Sequence, residues 1–169
     1  MSGINIGESG VVFGTFDGDD IFEIEKILTD IKFGDGVKKV EFIVKMQDQS
    51  SSIALVEAKS SIPRNPKDFF EEIKLKMAHS LTVWFACACG RHGSLATKLP
   101  LNLNKSCNLA SPLKLILVIP TAPDNMLPSL SDSFRKVLQV ERVLWDIGYS
   151  DILVLNESKA RTYRLINRV

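Results

Sequence analysis

A chain of 169 residues, 45% hydrophobic and 24% charged, has the make-up of an ordinary folded domain, which excludes a disordered tail, a collagen-like fibre and a disulfide scaffold. Its 21 basic and 20 acidic residues leave a formal charge of +1, so any pull toward nucleic acid or anionic lipid has to be local. Three cysteines, an odd number, argue against a paired disulfide framework and suit a reducing compartment.

The start, Met1-Ser2-Gly3-Ile4-Asn5-Ile6-Gly7-Glu8, has no basic or apolar targeting region. The longest strongly apolar runs, 81–88 and 115–119, are far shorter than the roughly 18 residues of a membrane span. A cytoplasmic protein without a membrane partner is the expectation. The elements begin with Ile21-Phe22-Glu23-Ile24-Glu25, whose alternation predicts a half-buried strand. Phe33-Gly34-Asp35-Gly36 is a turn signal. A second strand is predicted over 37–44, with Val40, Phe42 and Val44 on one face and Glu41 and Ile43 on the other. The polar loop 47–52 leads into a third strand, 53–59, and makes the pair an antiparallel hairpin. Apolar residues on both faces place this third strand centrally.

Asn65, Pro66 and Asp68 carry the signature of a helix start. Phe69, Phe70, Ile73, Met77, Leu81 and Trp84 then form one buried helical stripe. Residues 89–112 read as an irregular excursion. A buried strand is predicted at 113–120, and a helix capped by Ser131 or Asp132 follows. That helix carries Phe134, Val137, Leu138, Glu141 and Leu144 at helical spacing and ends at Gly148. Residues 152–155 form a further strand, and the basic tail Arg161–Arg168 is a candidate for one more. The whole, 1–169, reads as one α/β domain with a mixed central sheet and helices on its faces.

The chemistry gathers at Val56-Glu57-Ala58-Lys59. Strand geometry sends Glu57 and Lys59 to one face. A hairpin symmetric about its loop pairs Lys45 with Ile53 and therefore brings Glu41 opposite Glu57. Two facing carboxylates repel by about 0.2–1 kcal/mol when solvated and by more when buried. A divalent cation between them reverses that sign.

An acidic residue on one strand followed by Glu-x-Lys on the next resembles the core of the PD-(D/E)XK nucleases. The segments Lys39-Val40-Glu41-Phe42-Ile43-Val44 and Ala54-Leu55-Val56-Glu57-Ala58-Lys59 carry the resemblance, and the helix and strand–helix–strand that follow suit it. The resemblance implies a restriction-endonuclease-like fold and hydrolysis of phosphodiester bonds in nucleic acid, with DNA the expected substrate. It implies Mg²⁺ or Mn²⁺ held by Glu41, Glu57 and the carbonyl of Ala58, with Glu25 as a weaker fourth, and Lys59 orienting water and steadying charge on the phosphate. Glu41 follows Val40 where the family has aspartate after proline, and the family's further upstream acid sits on a helix, whereas Glu23 and Glu25 lie in a strand-like pattern. Sequence specificity would come from a homodimer or a partner subunit. The alternative is a non-catalytic domain of this fold that binds a protein or nucleic-acid partner.

Other patterns rank lower. Asp35 rivals Glu41 as first acid but sits in a Gly-Asp-Gly turn. Cys87, Cys89 and Cys107 with His92 lack zinc-site spacing, and Cys87 continues the buried stripe. His79 reads as a surface or satisfied histidine. Asp17-Gly18-Asp19-Asp20 lacks the rest of a calcium loop. Lys67, Lys74, Lys76, Lys98, Lys105, Arg64 and Arg91 are candidates to line a phosphate-backbone groove.

Overall fold

A five-stranded mixed sheet organises the chain, with helices on one face and a hairpin and short helix on the other. The computed structural model describes residues 3–167. The sheet runs β3 (Ile21–Phe22), β4 (Phe42–Lys45), β5 (Ile53–Ala58), β6 (Leu113–Val118) and β7 (Ile152–Leu155), in that spatial order. The β3–β4 and β4–β5 pairs are antiparallel, while β5–β6 and β6–β7 are parallel. β5 is central, as its sequence implies. Lys45 pairs with Ile53 and Phe42 with Val56, the register expected of the hairpin.

Strand alternation divides the interior in two. Ile53 and Leu55 point into the larger core, built with α1 (Ile24–Asp30), α2 (Pro66–Ala88) and α5 (Leu127–Val137). Ala54, Val56 and Ala58 point into the smaller one, closed by the hairpin β1 (Ile4–Glu8)–β2 (Val11–Phe16) and α7 (Glu157–Thr162). Two apolar faces on β5 therefore reflect two covered faces. On α2 the expected stripe is buried, although Phe69 only partly. Asn65 stands at the N-cap, but its amide donates to Asp68 at 2.6 Å and does not receive a backbone N–H. Among the described residues no helix is long and apolar enough to cross a membrane.

Several expectations are corrected. The strand over 21–25 stops at Phe22, and Ile24 and Leu28, one helical turn apart, are buried by α1. The second strand starts at Phe42, because the amide of Lys38 donates to Nδ1 of His79 and that of Val40 to Oγ of Ser80, both on α2. With its N–H engaged there, Val40 packs in the larger core, not beside Phe42 and Val44. His79 is thus a satisfied histidine. The region 89–112 contains α3 (Gly93–Ala96) and α4 (Leu101–Asn104), which bury Leu95 and Leu103. The helix expected up to Gly148 starts at Leu127 and breaks at Leu138, giving α5 and α6 (Gln139–Leu144). Asp146, with φ 51°, makes the left-handed turn expected of Gly148. Ser131 caps nothing; its hydroxyl accepts the amide of Val154 on β7. Arg161 lies in α7, and beyond it Ile166 makes a single bridge to Phe13; Arg168 lies outside the described residues.

Candidate active site

The candidate site lies at the carboxyl end of β5, where the apolar strand ends in charge. Glu57 follows Leu55 on the α2 side of the sheet and is completely buried. A carboxylate there is tolerated only with partners. Lys59, two residues on and on the same face, reaches its Oε1 at 3.1 Å. Lys76, from α2, reaches the same oxygen at 2.7 Å. The other oxygen, Oε2, is buried and has no hydrogen-bond partner among the described residues.

Glu41 precedes β4 and feels the charge of Glu57 across the hairpin. Burial, then a hydrogen bond with Glu25, then the charge of Glu57 raise its carboxyl to about 9, so Glu41 holds a proton at neutrality. Glu25 sits in the first turn of α1, not on a strand. Burial raises Glu57 against the pull of Lys76 and Lys59. For Lys76 burial acts downward, but the attraction of Glu57, with Glu25 and Glu41 behind it, holds the ammonium above its ordinary range. Two ammonium groups on one carboxylate oxygen make this an ionic cluster.

Glu25, Glu41, Glu57 and Lys59 lie near one another, but the strand pairing ends at Phe42 and Val56, and Glu57 is sealed from solvent, so no cleft opens onto both acids. Glu25 and Glu41 line a cavity of about 560 Å³ with Glu8, Glu23, Asp30 and Lys26. That cavity is strongly acidic. On the other side of Glu25 a cavity of about 270 Å³ is lined by Lys38, Lys39, Lys76 and Glu72. Sequence reasoning placed Lys76 in a phosphate groove and missed its partnership with Glu57. The signal was available: a lysine three residues after Ile73 and one before Met77 is on the edge of a buried stripe. The expected basic groove is dispersed, since Lys67 and Lys74 border a different groove and Lys105 bonds to Asn102. Cys87 packs in the larger core, and Cys89 and Cys107 are exposed.

The donor set can be weighed against the implied cation. Among the described residues no three His, Cys, Asp or Glu side chains close around a single ion. Mg²⁺, however, is usually held by one or two carboxylates with water and substrate oxygens completing the shell. Glu41 supplies a carboxyl raised by burial and by neighbouring acids, and Glu57 supplies an orphaned oxygen. Oxygen donors of this kind are the ligand type that a hard divalent cation takes. Compared with family models, curated proteins and solved structures, the chain gives no match.

Proposed function

We propose that this chain is a metal-dependent nuclease of the PD-(D/E)XK type, with a restriction-endonuclease-like fold, hydrolysing phosphodiester bonds in nucleic acid, DNA foremost. The observation that carries the reading is the gathering of Glu25, Glu41, Glu57 and Lys59 at the carboxyl end of the central strand. The helical position of Glu25 adds support. Glu41 and Glu57 would hold Mg²⁺ or Mn²⁺, with the Ala58 carbonyl and Glu25 as further oxygen donors. When bound, the cation supplies positive charge against the phosphate and acidifies water.

The residues themselves have distinct tasks. Lys59, about a third exposed, would donate to a phosphate oxygen as charge develops there. Glu57 orients that ammonium, and Lys76 holds Glu57 through the same oxygen. The acidic cavity at Glu41 repels a polyanion, so phosphates would approach over Lys38 and Lys39.

One observation favours the second reading, a non-catalytic module of this fold: Glu57 is fully buried and held by two lysines, as in a purely structural ion cluster. Incubating the protein with double- and single-stranded DNA and with RNA, with Mg²⁺, Mn²⁺ or chelator, separates the two. Cleavage that needs the cation and disappears in Glu41→Gln and Glu57→Gln is the expected result. Wild-type protein that cleaves none of these with either cation establishes the non-catalytic module.

A further inference from the structure

A second surface stands apart from the active-site reading. α6 is turned inside out for a surface helix: it buries the Glu141 side chain, whose Oε2 lacks a hydrogen-bond partner among the described residues, and exposes Val140, Val143 and Leu144. These three are 58%, 66% and 74% exposed. They form one wall of a groove of about 840 Å³ whose opposite wall is the first turns of α2, including Phe70, with Val137 of α5 also in its lining. Three large apolar side chains exposed along one side of a groove make it a candidate interaction site.

The rim specifies the partner. Lys67 and Lys74 on α2 and Lys136 on α5 border the groove, against the single acid Glu71, which lies 3.7 Å from Lys74. Lys67 and Lys136 are thus available to carboxylates from outside. Along α2 the groove runs from Pro66 to Lys74, about 12 Å, or two helical turns. That length accommodates apolar anchors at i, i+3 or i+4 and i+7 of a docked helix. We propose that the groove between α2 and α6 is a docking site for an acidic amphipathic helix of a partner protein. A second copy of this chain fits it poorly, because a two-fold contact here sets lysine rims against each other.

The test uses the full chain and a labelled synthetic peptide of about 14 residues, with leucine at i, i+3, i+4 and i+7 and glutamate elsewhere, beside a twin carrying lysine for glutamate. Fluorescence anisotropy is expected to show saturable binding of the acidic peptide that weakens with salt, and at least roughly tenfold weaker binding of the twin. Leu144→Asp and Lys136→Glu, both at exposed positions, should each weaken the acidic peptide about tenfold, while Leu101→Asp, at an exposed leucine outside the groove, leaves it unchanged. Equal binding of the two peptides, no saturable binding of the acidic one, or indifference to Leu144→Asp overturns the proposal. So does concentration-dependent dimerisation of the protein alone that Leu144→Asp abolishes, which assigns the groove to a second copy.

Discussion

The ammonium of Lys76 lies 2.7 Å from Oε1 of Glu57, the oxygen that Lys59 also approaches, at 3.1 Å. Removing one partner of a buried pair strands the other charge, at a cost of about 3–5 kcal/mol, whereas replacing both with apolar groups is often neutral. Lys76→Met should therefore destabilise the protein by about 3 kcal/mol, the lower end, because Lys59 remains as a partner. The double change Glu57→Leu with Lys76→Met should recover most of that loss. Urea unfolding of the two variants and the wild type checks both statements. A double variant weaker than Lys76→Met alone would show that the cluster contributes more than mutual neutralisation.

A pH dependence follows from Glu41, whose carboxyl is raised from 4.5 to about 9 by burial, by Glu25 and by Glu57. A raised acid is protonated in the folded state where it would ionise in the unfolded one. Its contribution is fully present below pH 4.5 and is lost as pH rises toward about 9. Melting temperature should fall across that window without added cation, and Glu41→Gln should flatten the fall by removing the titration. An unchanged slope in Glu41→Gln would place the titrating group elsewhere.

These relationships were unequally legible in the chain. The β4–β5 register and the shared face of Glu57 and Lys59 follow from alternation and a symmetric loop, both local properties. The helix carrying Glu25 was hidden because Ile21-Phe22-Glu23-Ile24-Glu25 alternates like a strand, while its helical spacing from Ile24 to Leu28 emerges only further along. Lys76 was illegible for a different reason. Its partner is 19 residues away, and only the docking of α2 on the sheet brings them together. Likewise, the late start of β4 depends on His79 and Ser80 capturing amides from a distant segment. The break at Leu138 inverts α6 and turns Leu144, a core residue by periodicity, into an exposed one.

Cation binding should show as stability. An ion that binds the folded state alone adds RT ln(1 + [L]/Kd), about 2.7 kcal/mol at a hundred times Kd. Scanning calorimetry in millimolar Mg²⁺ or Mn²⁺ should raise the melting temperature of the wild type, with little response from Glu41→Gln or Glu57→Gln. The rise should be larger at pH 8 than at pH 6, because the Glu41 proton competes with the ion. Coincident curves at all cation concentrations would remove the metal from the proposed function and leave a structural charge cluster.

The two lysines on Glu57 provide the sharpest division between catalysis and architecture, because they meet one oxygen from different elements and with different exposure. The side chain of Lys59 is 30% exposed, whereas that of Lys76 is 11% exposed and lines the small cavity with Lys38 and Lys39. If Lys59 stabilises charge developing on the phosphate, its loss removes an interaction made mainly in the transition state. Lys59→Ala should then lower the cleavage rate by roughly 10²–10³ while nucleic-acid affinity changes little and melting temperature falls less than in Lys76→Met. Lys59→Arg should restore little of the rate, since a planar guanidinium does not reproduce a compact ammonium. Lys76→Met should do the reverse, lowering stability first and rate only as far as Glu57 loses its orientation. Single-turnover cleavage measured beside unfolding curves for the three variants reads both effects. A Lys59→Ala protein that cleaves at the wild-type rate would move the catalytic role off this strand.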